Sequence, residues 1–300
     1  MIATLIAFAR PHTIIGTVLA VVGLWAMAGA WAAERPAAAG VGALVLALVA
    51  ALATNVYIVG INQLTDVEID RINKPFLPLA AGRLSMRTGW AWVALAGGLA
   101  IVTSALAGPF LLAAVTIGLL VGTAYSVPPF RLKRFHVAAA ASITSVRALT
   151  VNLLVYVHFQ YVIDGTVGVP RHVLALTGMV LGLTIAIAWF KDIPDAIGDA
   201  RHGIATLVLR LGVQRVLAAG LVVLVACYLS LIVAGLVGLQ GVNGTVLVIG
   251  HLGLLAGLVV ITRQTNLGDT DSLRRFYANI WRLFFVEYLV FPLAAVAALA

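Results

Sequence analysis

The chain has 300 residues, is 62% hydrophobic and only 10% charged, whereas soluble domains carry about 25% charge. That excludes an ordinary soluble protein, and the single cysteine, Cys227, excludes an intramolecular disulfide and a cysteine metal cluster. The formal net charge of +8 would suit nucleic acid, but Lys and Arg are dispersed among short loops as membrane topology requires, so no nucleic-acid partner is expected.

Apolar stretches of membrane-spanning length recur along the chain. They predict nine spans, at roughly 12–32, 40–63, 88–107, 109–126, 137–158, 172–191, 214–238, 244–263 and 279–299. The expected fold is all-α and integral to the membrane, a single domain over 1–300 with two weakly similar halves. After the first span, "AMAGAWAAERPA" resembles a signal-peptidase site. The segment before it carries only Arg10 as a positive charge, and the apolar part from Thr13 to Ala32 is long enough to cross. An uncleaved first helix is expected, and with no Ser/Arg-rich transit segment, a bacterial cytoplasmic membrane.

The basic residues set an orientation. Arg10, Arg71, Lys74, Arg83, Arg87, Arg131, Lys133, Arg134, Lys191, Arg201, Arg210, Arg215, Arg263, Arg274, Arg275 and Arg282 fall on one set of span ends. Only Arg35 and Arg171 fall on the other, and Arg147 lies inside span five. The positive-inside rule then puts the N-terminus in the cytoplasm.

Acids gather at the same side. Asn62, Asp66 and Asp70, at i, i+4, i+8 after span two, form one row on a helix face, which Asn55 extends inward. Glu68 points the other way, as a solvated loop acid. Asp192, Asp195 and Asp199, at i, i+3, i+7 after span six, form a second row. Two such rows repel unless a cation lies between them, and oxygen-only ligands suit Mg²⁺, whose shell substrate phosphates complete. Lys74, Lys133, Arg134 and Lys191 then serve as a basic rim for phosphate oxygens. The competing reading is that these are solvated loop charges; two same-face rows at equivalent span ends favour the diphosphate site. Such a site at the mouth of a membrane bundle implies a lipid-tailed substrate. Its ionisation leaves a carbocation, which aromatic faces such as Tyr57, Tyr125 and Trp189 can stabilise, although each of these also serves as an ordinary core or interface aromatic.

At these residues the sequence resembles the UbiA superfamily of intramembrane aromatic prenyltransferases, and within it the homogentisate prenyltransferase branch. The likeness rests on NQxxDxxxD at Asn62–Asp70 and DxxDxxxD at Asp192–Asp199. It extends to "RPHTIIGT", "NVYIVGINQLTDVEIDRINKPFLPLAAG", "GTAYS", "LKRF" and "FKDIPD", from the first span to about Gly212. The resemblance implies nine helices around a central cavity with cytoplasmic cap loops. It implies catalysis by Asp66, Asp70, Asp195 and Asp199, which with Asp192 hold Mg²⁺, while Asn62 helps bind the diphosphate. It also implies transfer of an isoprenoid chain from an allylic diphosphate to an aromatic acceptor, homogentisate, with decarboxylation. Ala196 and Ile197, "GIATLVLRLG" and "SVPPF" depart from the branch pattern, which puts the acceptor and the tail length in question.

Homogentisate is a carboxylate, and Arg10, His12 and Arg147 are the candidates to bind it. A charge inside a span is a functional candidate by default, with a structural ion pair as the alternative. Arg147 lies ten residues past Val137, roughly 15 Å deep, and Glu287 eight past Asn279, roughly 12 Å deep. These two are therefore expected to meet in the bundle, or to share a polar cavity where the acceptor also binds. GxxxG at Gly118/Gly122, Gly178/Gly182 and Gly253/Gly257 predicts close helix approach. Rival functions are prenyl transfer to another acceptor (a hydroxybenzoate, a quinolone or indole, a chlorin) and cation-coupled transport. Transport calls for acids near the membrane midplane, whereas these cluster at span ends. No obligate protein partner is evident; membrane lipid surrounds the protein.

Overall fold

The computed structural model describes residues 2–30, 37–191, 193 and 207–299. These residues are helical with short connections and contain no strand. Among them nine helices are long and apolar enough to cross a membrane: Pro11–Ala30, Gly40–Thr65, Met86–Ala107, Pro109–Ser126, Val137–Asp164, Arg171–Phe190, Val213–Leu236, Gly244–Arg263 and Thr270–Leu299. The protein is integral to the membrane. Its outward-facing leucines support this, with Leu95, Leu106 and Leu236 more than two-thirds exposed, since lipid tails solvate such side chains without cost.

Two spans differ from expectation. The last begins nine residues early, because Asp269 caps it by accepting the backbone N–H groups of Asp271 and Ser272. The fifth runs on to Asp164, and its middle, Ser145–Val155, is a π-helix. Hydropathy sees neither a cap nor a change of helical pitch.

The chain divides into two compact units. The first comprises Met1–Ser142 and Thr150–Gly168. It contains α1 (Ile2–Phe8), α2 (Pro11–Ala30), α3 (Ala37–Thr65), α4 (Val67–Asn73), α5 (Met86–Ala107), α6 (Pro109–Ser126), all but the last two residues of α7 (His136–Thr144), and α8 (Tyr156–Asp164). Helix α3 packs against α2, α5, α6 and α8. Glycines set the closest approaches: a side chain at Gly122 would meet Ile58 of α3 at 2.7 Å, and one at Gly60 would strike Phe8 and Val93. Below the end of α3, Phe8, Ile61, Leu64, Leu79 and Val93 form a buried core, with Trp92 edge-on to Phe8 at 5.5 Å. Gln63 ties α3 to α1 by donating to the Phe8 carbonyl at 2.7 Å.

The second unit comprises Ile143–Leu149 and Val169–Ala300. It holds α9 (Arg171–Phe190), α10 (Leu207–Leu211), α11 (Val213–Leu236), α12 (Gly244–Arg263) and α13 (Thr270–Val296). Helix α11 packs on α9 and α12, and α13 on α9 and α12. Cys227 is a packing residue, with its sulfur against the bare face of Gly182. Of the three glycine pairs, Gly118/Gly122 and Gly182 mark close contacts, while Gly178 and Gly253 face open space.

Candidate active site

The Asn62–Asp66–Asp70 row does not lie on one continuous helix. Helix α3 ends at Thr65, whose hydroxyl donates back to the Ile61 and Asn62 carbonyls at 3.0 Å, a competition that weakens a helical ladder. Asp66 leaves helical geometry (φ −118°, ψ 16°) and stands at the N-cap of α4. The expected i+4 spacing therefore survives as a corner, with the Asp70 N–H bonded to the Asp66 carbonyl at 2.7 Å.

The corner gathers charge around Asp66. Its Oδ2 accepts from Asn62 Nδ2 at 3.1 Å, and its Oδ1 from Lys133 Nζ at 2.6 Å and Arg131 Nη2 at 3.2 Å. Lys133 also donates to the Thr65 hydroxyl at 3.2 Å. Sequence reasoning named Lys133 but passed over Arg131 and chose Arg134, which is exposed. Arg131 has a left-handed backbone (φ 39°, ψ 54°) ahead of the tight turn Leu132–Arg134. The turn sends residues 131 and 133 to Asp66, an alternation the bare motif "RLKRF" contains but does not disclose.

Asp70 is only 6% exposed, and its Oδ2 is buried with no hydrogen-bond partner among the described residues. Burial raises its pKa above the ordinary carboxylate value, against the opposing pull of Lys74 and Arg10. Burial likewise lowers the Lys133 pKa, against the pull of Asp66. Arg10, expected at the acceptor, thus belongs electrostatically to the acidic corner. Glu68 is solvated as expected, 82% exposed in its side chain and paired with Arg71.

A raised carboxyl pKa means that ionised Asp70 costs stability, a cost absent below the unfolded pKa and complete above the folded one. Asp70→Asn is therefore expected to raise the melting temperature in metal-free buffer at pH 7–8. The gain should shrink as pH falls and Asp70 protonates in the parent. Thermal unfolding of both proteins across pH checks this; a variant less stable than the parent at pH 7–8 refutes the assigned cost.

Other candidates are placed differently. Asn55 donates to the Thr13 hydroxyl at 3.0 Å and the Ala9 carbonyl at 3.4 Å, joining α3 to the start of α2. His12 is exposed in the first turn of α2. Tyr125 is half-buried near the end of α6, where Tyr57 bonds Thr123 at 2.7 Å. Lys191 ends α9. Asp192, Asp195 and Asp199 lie outside the described residues.

The expected Arg147–Glu287 pair is not formed. Within the second unit, the Arg147 guanidinium lies over the Trp281 ring, 4.7 Å from its centroid, and 5.7 Å from that of Phe284. Glu287 meets His251 instead, Oε1 to Nε2 at 3.2 Å. Depth along an axis does not fix direction around it. Six residues separate Trp281 from Glu287, which turns the helix to roughly 120° away.

The donor set at the corner suits a hard cation. Two carboxylates and an amide oxygen offer oxygen only, and the bare, buried Asp70 Oδ2 is an acceptor that a cation would satisfy. Arg131 and Lys133 beside them give the surroundings a phosphate needs.

An all-helical membrane protein with paired carboxylates and a basic loop at one span end is the class that fold and site define. A family model described as the UbiA prenyltransferase family matches residues 13–284, and the chain belongs to that family. It is 42% identical to a homogentisate phytyltransferase of Synechocystis over 96% of this chain and 94% of that one. It is 36% identical to a chloroplastic homogentisate solanesyltransferase of Arabidopsis thaliana, over 95% and 75%. Among solved structures, a UbiA homolog from Archaeoglobus fulgidus bound to GPP and Mg²⁺ has the same fold, with a TM-score of 0.64 at 19% identity, over 96% of this chain and 99% of that one.

Proposed function

We propose that this enzyme transfers an isoprenoid chain from an allylic diphosphate to homogentisate, with loss of the acceptor carboxyl as CO₂, in tocopherol or prenylquinone synthesis. The observation that carries the acceptor is the near full-length similarity to enzymes named for homogentisate.

Asn62, Asp66 and Asp70, with Asp192, Asp195 and Asp199, would hold Mg²⁺. Bound Mg²⁺ supplies Lewis-acid charge to the leaving diphosphate. Arg131, Lys133, Lys74 and Arg10 lie around the Asp66–Asp70 corner and neutralise phosphate oxygens, a role that Arg134 and Lys191 would share. The allylic C–O bond breaks, its electron pair leaves with the diphosphate, and a ring carbon of the acceptor attacks the allylic cation and then loses its proton. The bond from the side-chain carbon to the carboxylate breaks to give CO₂, and protonation leaves a methyl group. Arg147 holds the acceptor carboxylate: stacking on Trp281 uses its face and leaves the N–H edge for a fork of hydrogen bonds. The prenyl tail lies among the apolar helices with membrane lipid. Tyr125 and Asn55 line its approach. The basic span ends support a reading in which this site and the N-terminus face the cytoplasm, in a bacterial cytoplasmic membrane.

Homogentisate labelled at its carboxyl carbon, incubated with purified protein, Mg²⁺ and allylic diphosphates, should release labelled CO₂ in step with prenylation. A prenylated product that keeps the carboxylate would move the enzyme to another acceptor.

A further inference from the structure

The second unit buries a polar cluster for which the proposed prenyl transfer has no use. Tyr228 of α11, His251 of α12 and Glu287 of α13 are each 0% exposed. The rings of Tyr228 and His251 lie 6.3 Å apart, and Glu287 is close enough to act electrostatically on Tyr228. Three helices thus bring a phenol, an imidazole and a carboxyl group together inside a membrane bundle, where uncompensated polar groups are expensive.

The hydrogen bonds fix the proton inventory. His251 Nδ1 lies 2.7 Å from the Leu247 carbonyl, which can only accept, so Nδ1 carries a hydrogen. Nε2 meets Glu287 Oε1 at 3.2 Å, and that bond needs one proton, on whichever of the two atoms it rests. Neutral imidazole with carboxylic acid and imidazolium with carboxylate both sum to zero charge. The pair therefore needs no counter-ion, which is why Glu287 has no call on Arg147.

Two atoms remain. The Tyr228 hydroxyl and Glu287 Oε2 are fully buried and have no hydrogen-bond partner among the described residues. A buried hydroxyl and a carboxyl oxygen left bare each carry a full desolvation penalty, and native proteins relieve such penalties with internal water. One atom is donor and acceptor, the other an acceptor, and they lie on different helices.

We propose that Tyr228, Glu287 and His251 build a binding site for one ordered water molecule, which donates to Glu287 Oε2 and exchanges a hydrogen bond with the Tyr228 hydroxyl. The water locks α11 to α13 as His251 locks α12 to α13. Glu287 is common to both links and stands one turn from Phe284, so the site also holds the register of the helix that presents Trp281 and Phe284 to Arg147.

X-ray radiolytic footprinting of the detergent-purified protein tests this, because an ordered buried water is split in place and oxidises its neighbour. Tyr228 should be labelled well above Tyr156, an equally buried tyrosine at 1% exposure. Glu287→Gln retains an oxygen for the water and an N–H for His251, and should keep the label. Glu287→Leu should lower it to the Tyr156 background. Labelling of parent Tyr228 no greater than that of Tyr156 overturns the site, as does an undiminished label in Glu287→Leu. If Glu287→Leu does not fold, the parent and Glu287→Gln still decide. The readout is independent of any acceptor, so its failure is separable from failure of the proposed reaction.

Discussion

Asp66→Asn should lower turnover by on the order of 100-fold or more, the scale on which one preorganised electrostatic contact to developing charge is lost. The substitution keeps the side-chain volume and removes the charge that Lys133 and Arg131 hold at 2.6 and 3.2 Å. One oxygen must also become an NH₂ group, which then faces either those two cations or the Asn62 amide. The protein should stay folded, because the α1–α3–α5 core beneath the corner is apolar and untouched. Glu68→Gln, two residues on but solvated and paired with Arg71 at the surface, should retain most activity, since such pairs contribute little. Initial rates across a Mg²⁺ titration, with size-exclusion profiles, make the comparison. Parent-like activity of Asp66→Asn at saturating Mg²⁺ would remove the acidic corner from the diphosphate site.

Glu287→Leu should cost about 1–3 kcal/mol of stability, the usual effect of leaving a buried hydrogen-bonding group without its partner. His251 Nε2 would be left facing leucine with no water to turn to. Glu287→Gln should cost about 1 kcal/mol or less, because its amide N–H can donate to Nε2 and replace the hydrogen bond. The overturned pairing supplies a second arm. Were Arg147 the partner of Glu287, adding Arg147→Met to Glu287→Leu would restore stability. With Arg147 on Trp281 and Glu287 on His251, the double variant should instead show no recovery of the stability lost in Glu287→Leu. Denaturant unfolding in detergent, followed by tryptophan fluorescence, measures all four proteins. Recovery in the double variant would contradict the arrangement of α13.

The sequence by itself determined the class of protein, nine spans among the described residues and the placement of Asp66 and Asp70 just past the end of span two. These follow from one-dimensional quantities: the length of an apolar run against membrane thickness, and the placement of charge along the chain. Asp66, Asp70 and Lys133 were legible for the same reason, because a carboxylate row and a basic loop beside a span end are patterns in spacing. Tertiary structure decided what depends on direction around a helix axis or on partners distant in the chain. It broke the acidic row at Asp66, where the backbone leaves helical geometry between α3 and α4. It brought in Arg131 through a left-handed turn, and it gave Arg147 a tryptophan and Glu287 a histidine. Depth along each span matched Arg147 to Glu287, but a helix turns 100° per residue, and which neighbour a buried charge meets is set by that rotation and by the packing of all its neighbours at once.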